Sequence, residues 1–299
     1  MVRVLVSGGS GLVGRYIVNH LGAEGYDVTV GGRRPPPSAH FIRPVGFVPL
    51  YLDPRDDAAA AFEGIDSFVH AAFAHLPGKY RGGEGDDPDG FRRLNLDGTV
   101  RLFETAKAAG VSRVVFLSSR AVYDGVPDGT VLSEKLTLAP SSLYGEVKLG
   151  AEQALGRLTG SSFTAASLRA TGIYGPLRPN KWDGLFADYL AGKPVAARAG
   201  SEVHGRDLAD AVRLMLETEG TKISGRAFNV SDIVTDTNEI LSPLKAATGC
   251  PHPLPAPADR SNVREMPTNA IRSLGWTPGG TVALHETLAA LARSHDPAL

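Results

Sequence analysis

Two hydrophobic rhythms alternate along the first 170 residues. Short runs rich in β-branched side chains, Val2 to Val6, Asp27 to Val30, Phe47 to Leu52, Ser67 to Ala71, Arg113 to Leu117 and Ser162 to Leu168, read as strands. Several are apolar on both faces, as strands are when helices cover a sheet from each side. Between them, Leu12 to Leu21, Ala58 to Phe62, Leu94 to Ala108 and Tyr144 to Leu158 carry apolar residues at helical spacing. Strand and helix in strict alternation predict an α/β chain with a doubly wound parallel sheet and right-handed crossovers.

After Arg169 the rhythm changes. Gly172, Gly175, Pro176, Pro179, Gly192 and Pro194 punctuate shorter elements, which predicts a smaller C-terminal lobe for the substrate. Leu208 to Leu216 reads as a helix and Arg226 to Val230 as a strand. The expected division is therefore 1–170 for a nucleotide-binding domain, with 203–230 returning to it, and 171–202 plus 231–299 for the lobe. Cys250 to Asp259 is proline-rich and reads as an extended connection. Met266 to Trp276 and Val282 to Ala292 are expected to supply a helix, a turn and a terminal helix. Two loops stand out: Gly31 to Pro44, with several prolines and arginines, and Pro77 to Gly90, so polar that it is expected to be mobile.

Charge narrows the function. The 299 residues carry 31 Lys and Arg against 32 Asp and Glu, so no global field draws nucleic acid or an anionic membrane. Cys250 is the single cysteine, which excludes an internal disulfide framework and a cysteine-built zinc site. No His, Asp and Glu grouping has metal-ligand spacing, and no metal is expected. With no export signal or membrane-length apolar run, the expected setting is the cytoplasm.

The first strand runs into Ser7-Gly-Gly-Ser-Gly-Leu-Val-Gly14 and then into a helix. Gly8 permits a tight turn, Gly11 lets the backbone approach a pyrophosphate, and Gly14 lets helix and strand pack closely, while Ser10, Leu12 and Val13 complete the turn. This predicts a Rossmann-type sheet and a dinucleotide ligand, the alternative being a merely glycine-rich turn. At the end of the second strand, where an NAD site places an acid on the ribose 2′-hydroxyl, the chain has Gly31-Gly32-Arg33-Arg34. Two guanidinium groups suit a 2′-phosphate, so NADP(H) is expected in preference to NAD(H), which stays possible; the alternative is that both arginines are simply solvated on a loop tip. Farther on, Tyr144 and Lys148 stand four apart on one helical face, where an ammonium favours the phenolate and tunes the tyrosine for proton exchange with an alcohol or carbonyl.

Together with Val69-His-Ala-Ala72, Asn95-Leu-Asp-Gly-Thr99, Leu117-Ser-Ser-Arg-Ala-Val-Tyr123, Leu168-Arg-Ala-Thr-Gly-Ile-Tyr-Gly-Pro176 and Leu274-Gly-Trp276, these motifs resemble the extended short-chain dehydrogenases/reductases of the NAD-dependent epimerase/dehydratase type. The resemblance runs from Val2 to about Trp276. It implies that Tyr144 is the acid/base, that Lys148 holds the nicotinamide ribose and polarises Tyr144, and that Ser119 hydrogen-bonds the reacting oxygen. It also implies Asp53 at the adenine amino group, Ala71 and Ala72 under the pyrophosphate and ribose, and Asn95 behind the active-site helix. Asp53 as a cap before Pro54 and Asn95 as a buried amide paired to backbone are the plainer readings of the same residues. Family members commonly form homodimers through two long helices, here Leu94 to Ala108 and Tyr144 to Leu158.

The departures bear on the reaction. Where the family's dehydratases carry an acidic pair after the catalytic hydroxyl, this chain has Arg120 and Ala121, which argues against 4,6-dehydration. Where nucleotide-sugar epimerases carry an Arg-Asp pair for the diphosphate, it has Gly200-Ser201, with Arg198 nearby. His75, Lys79 and Tyr80 after the fourth strand, Arg178 and Trp182 after the Tyr174-Gly-Pro turn, and His204 are the candidate substrate contacts, although a hydrogen-bonded histidine at a helix entry is the plainer reading of His204. The leading expectation is hydride transfer between the cofactor and a secondary alcohol or carbonyl of a small or sugar-like substrate. A UDP-sugar 4-epimerase and a non-catalytic dinucleotide-binding sensor are the alternatives.

Overall fold

The computed structural model describes residues 1–76 and 82–295. In chain order the nucleotide half contains β1 (Arg3–Ser7), α1 (Leu12–Ala23), β2 (Asp27–Gly32), β3 (Gly46–Pro49), β4 (Ser67–His70), α2 (Pro88–Arg92), α3 (Gly98–Ala108), β5 (Arg113–Ser119), α4 (Leu143–Leu158) and β6 (Thr164–Ala170). There follow β7 (Gly172–Tyr174), α5 (Asp183–Leu190), β8 (Ala199–His204), α6 (Gly205–Glu217), α7 (Gly220–Ile223), β9 (Arg226–Val230), β10 (Ile233–Asp236), α8 (Thr237–Thr248), α9 (Asn269–Arg272) and α10 (Gly280–Arg293).

Seven strands form a Rossmann-like sheet in the order β3-β2-β1-β4-β5-β6-β9, every pair parallel. The period of two divides their side chains between two cores. Val4, Val6, Val115, Leu117 and Leu168 meet Ile17 and Leu21 of α1 and Leu208 and Val212 of α6. On the other face, Leu5, Phe68, Phe116 and Ala165 meet Phe103 of α3 and Leu155 of α4. Each fully buried Leu or Ile contributes about 1.5–3 kcal/mol against the entropy of ordering the chain. The direction of winding reverses between β1 and β4, and ligands of such sheets bind outside the strand ends at that crevice.

A second sheet, β10-β8-β7, joins β7 to β8 in parallel and β8 to β10 antiparallel. Trp182, Phe186, Leu241 and Leu284 form the apolar cluster beside it. Among the described residues no helix is long and apolar enough to cross a membrane, and no group of three or more His, Cys, Asp or Glu could hold a metal ion.

Several elements differ from expectation. The stretch read as a helix over Ala58 to Phe62 is a single 3-10 turn, Ala59–Phe62. The helix expected from Leu94 begins earlier, at Pro88, because Asp87 caps it by accepting the Gly90 N–H at 2.8 Å. It passes through a π-helical turn over Arg93–Asp97 before α3. Helix α8 was hidden by Pro243 within it, yet Asp236 caps its start by accepting from Glu239 N and Gly249 ends it at φ 63°. Over Met266 to Trp276 only α9 is helical. Lys79 and Tyr80, and residues 77–81 of the loop expected to be mobile, lie outside the described residues.

Candidate active site

The glycine turn follows β1 at the crevice. Gly8 takes φ 70° and donates its N–H to Gly31 O at 3.0 Å, and Gly11 N donates to Gly8 O at 3.0 Å. A Cβ on Gly8 would lie 2.7 Å from the Ala72 backbone, and one on Gly14 would strike the Gly8 carbonyl. Gly11 is exposed, and it starts α1 with no side-chain cap and no acid in the first turn. The first N–H groups of the helix are therefore left for an anion, and the cradle fits a pyrophosphate. Leu12 and Val13 pack against the core behind it, while Ser10 is exposed, its hydroxyl 3.9 Å from where a Cβ on Gly32 would stand.

At the end of β2, Gly31 is wedged against Leu50, whose Cδ2 would lie 2.7 Å from a Cβ there. Arg33 and Arg34 beyond it are exposed, and neither makes a hydrogen bond or ion pair with a described residue. Asp53 behaves differently from an open carboxylate. Its Oδ1 accepts from Arg55 N at 3.1 Å and Nε at 2.9 Å, and its Oδ2 from Nη2 at 2.6 Å, hydrogen bonds that hold its pKa well below the usual carboxylate range. It caps a turn rather than a helix.

Strand β4 delivers the opposite wall. Ala71 N donates to Ser7 O at 3.1 Å and Ala72 N reaches Ser7 Oγ at 3.4 Å, so both alanines lie against the glycine turn. Asn95, buried in the π-helical turn, accepts from Ala74 N at 2.7 Å and donates to Ala74 O and Phe91 O. It is thus a buried amide paired to backbone, and through that pairing it anchors the segment after β4.

Helix α4 brings Tyr144 and Lys148, the candidate proton-transfer pair. Ser142 caps it by accepting from Gly145 N at 3.2 Å. Gly145 packs so closely on the Ala121 carbonyl that a Cβ would clash, and Ala121 N donates to Ser119 Oγ at 3.1 Å. Ser119 and Gly145, the neighbour of Tyr144, thus both lie against Ala121. The Tyr144 ring stands edge-on to Phe73 at 5.1 Å. Lys148 is buried, donates to Leu117 O at 2.7 Å, and lies 4.6 Å over Phe73 and 4.8 Å over Phe116. Burial pushes its ammonium down to about 7, against the opposing influence of Glu152.

The candidate substrate residues divide. His75 is half-buried, its ring stacked on Phe73 at 6.1 Å, two residues from the aromatic that touches Tyr144. Arg198 is exposed just before β8, with only its backbone bonded to Thr237. Three others are committed elsewhere: Trp182 and Arg178 do not face the cleft as expected, and His204 takes the helix-entry role that was its plainer reading. Trp182 is buried in the lobe core and stacked on Tyr174. Arg178 pairs with Asp183 and donates to Ser294 Oγ at 2.7 Å. His204 is buried, caps α6 by accepting Arg206 N at 3.0 Å on Nδ1, and is driven down to about 4 by burial and by Arg206.

Sequence reasoning missed Phe73, Phe116 and the Leu117 carbonyl, which wall in Lys148, because they approach it across the sheet. It also missed His70, buried under the glycine turn with Nδ1 at 2.6 Å from Ser7 Oγ and Nε2 at 2.9 Å from Thr99 Oγ1. Its position inside Val69-His-Ala-Ala72 was the available signal.

The model of the family described as NAD dependent epimerase/dehydratase family matches residues 4–231. The chain belongs to this family. It is an enzyme of the extended short-chain dehydrogenase/reductase type, whose members use a nicotinamide cofactor. A UDP-glucose 4-epimerase of Mycolicibacterium smegmatis is 29% identical over 309 residues, covering 96% of each chain. A dTDP-6-deoxy-L-talose 4-dehydrogenase (NAD(P)(+)) of Kitasatospora kifunensis is 28% identical over 303 residues, 94% of this chain and 92% of that one. The structure of a Thermus thermophilus UDP-glucose 4-epimerase complexed with NAD superposes with a TM-score of 0.77 at 26% identity, covering 99% of this chain and all of that one.

Proposed function

We propose that the protein is an NADP-preferring dehydrogenase or reductase acting on a secondary alcohol or carbonyl of a small or sugar-like substrate. The observation that carries the reaction is Tyr144 beside buried Lys148, with the Ser119 hydroxyl joined to Tyr144's helix through Ala121. Tyr144 passes its proton to the substrate oxygen during reduction and takes it back during oxidation, Ser119 orients that oxygen, and the Lys148 ammonium stabilises the phenolate. The nicotinamide, when bound, supplies or accepts the hydride. Gly8, Gly11 and Gly14 would hold its pyrophosphate, and Ser10, Arg33 and Arg34 its 2′-phosphate.

Epimerisation is the second reading, favoured by the full-length likeness to UDP-glucose 4-epimerase. A sugar that turns over within the site needs a charged anchor on its diphosphate. Here the strand position for that anchor is Gly200, where a Cβ would meet nothing within 4 Å, and Arg198 is the nearest exposed cation in the chain. Calorimetry with UDP, UDP-glucose and UDP-galactose, on protein saturated with NADP, separates the two. Absent UDP binding, with stoichiometric oxidation or reduction of the cofactor on a small substrate, is expected. Micromolar UDP binding that Arg198→Ala weakens, with turnover of UDP-glucose and no net change in cofactor redox state, would replace the first reading by the second.

The same reading includes a homodimer paired through α3 and α4 in the cytoplasm, with the lobe beyond β6 presenting the substrate. Light scattering giving a 31.4 kDa particle at micromolar concentration would remove the dimer.

A further inference from the structure

Helix α4 carries a third polar side chain on the face of Tyr144 and Lys148. Glu152 lies one turn beyond Lys148, its side chain 7% exposed, and the proton transfer described above does not use it. The carboxylate is held from two strands. Ser118 of β5 donates its hydroxyl to Oε1. Arg169 of β6, 6% exposed, donates from Nε to both oxygens, at 3.1 and 3.2 Å, and from Nη2 to Oε2 at 2.7 Å. The remaining guanidinium nitrogen of Arg169 donates to the Tyr123 hydroxyl at 2.8 Å, which donates in turn to Asn229 Oδ1 at 2.8 Å.

The position of Ser118 gives the pair a connection to the site. Leu117, the residue before it, accepts the Lys148 ammonium on its carbonyl, and Ser119, the residue after it, carries the hydroxyl assigned to the reacting oxygen. Consecutive residues of β5 are thus gripped by consecutive turns of α4, Leu117 by Lys148 and Ser118 by Glu152. A buried ion pair is often no more stabilising than apolar side chains of the same volume, so stability alone gives little reason for a carboxylate here. Its effect on a neighbouring charge gives one.

We propose that Glu152 is a positioning residue of the active site: it locks the joint between α4 and β5 and stabilises the Lys148 ammonium beside Tyr144. The inference rests on the acid/base reading of Tyr144 and Lys148. The groups facing Lys148 are Tyr144 and Glu152 from α4, His70 from β4, and the rings of Phe73 and Phe116. Arg169 of β6 reaches it through Glu152. His70 is driven down to about 3 by burial and by the Lys148 charge, so it is neutral at pH 7 and offers no competing cation. Burial drives Lys148 to lose its proton, and the Glu152 carboxylate is what opposes this.

The test reads Lys148 without turnover. In protein labelled with [ε-13C]lysine, the Lys148 resonance is assigned by its loss in Lys148→Arg and titrated by NMR. Glu152→Gln is compared with Glu152→Gln/Arg169→Gln, which removes the guanidinium that the single variant strands in the interior. In both, the Lys148 midpoint is expected about one pH unit lower than in the wild type, and the alkaline fall of kcat moves to lower pH with it. Ser118→Ala, which loosens the joint but keeps the carboxylate, leaves the midpoint in place. An unmoved midpoint in the folded variants would reduce Glu152 to a purely structural part and overturn the proposal. Full turnover by Tyr144→Phe would instead remove the acid/base reading, and a displaced midpoint would still assign the coupling to Glu152.

Discussion

Tyr144 and Lys148 were legible at the scale of single residues because their relation is local: four positions on a helix place them on one face whatever the surroundings. Tyr144→Phe is expected to keep the fold and bind cofactor normally while losing about a hundredfold to ten-thousandfold in kcat, since only the proton-transfer group is removed. Steady-state kinetics beside cofactor titration check this, and turnover within a few-fold of wild type would contradict it. Arg33 and Arg34 were legible as charge without a partner, and both are exposed in the structure. Arg33→Ala is expected to weaken NADPH by about one to two decades, the loss of one charge-assisted phosphate contact, and to leave NADH unchanged. Fluorescence titration of both cofactors decides it; equal wild-type affinities would return the arginines to the solvated loop tip. Trp182 and Arg178 were placed at the cleft, and His204 was open between cleft and helix entry, because a ring, a cation and an imidazole look alike in sequence whether they face a cleft or a core. Only their neighbours Tyr174, Asp183 and Arg206 distinguish the cases.

At the scale of elements, the strands were readable wherever both faces are apolar, and the glycine turn was readable because each glycine answers a steric demand of its own. The helix starting at Pro88 escaped notice because its cap, Asp87, sits in a stretch too polar to suggest a buried face. Helix α8 escaped for the opposite reason. Pro243 lacks the N–H that an interior turn uses, yet burial of Ile240, Leu241 and Leu244 outweighs that loss. At the start of α4 one side chain makes two bonds, since Ser142 caps the helix and also donates to Asp124 Oδ2 at 3.0 Å. Ser142→Ala is expected to cost about 1 kcal/mol of stability. Urea unfolding should show the lowered midpoint at constant slope; an unchanged midpoint would mean that the cap contributes nothing.

For the whole molecule, acid stability follows from where the histidines are buried. His70 has an ordinary value of 6.5 in the unfolded chain and about 3 when folded, so between these limits the unfolded state binds the extra proton. Its contribution is complete above pH 6.5 and is lost as pH falls toward 3, the loss reaching about 2 kcal/mol by pH 5. His70→Gln should therefore flatten the fall in unfolding free energy between pH 7 and pH 5 by about that amount; a slope equal to the wild type would show that His70 is protonated in the native protein. The imidazole joins Ser7 of β1 to Thr99 of α3, a contact between elements far apart in the chain. The order of amino acids was enough to specify the alternation of strand and helix, the parallel sheet, the glycine turn and the Tyr144–Lys148 pair, because each depends on interactions within a few residues or on a repeating period. Which side chains surround that pair was settled by tertiary packing. Ser118 meets Glu152 34 residues away and Tyr123 meets Asn229 106 residues away, and such partners are selected by the stacking order of strands and the packing of helices upon them, for which no local spacing carries a signal.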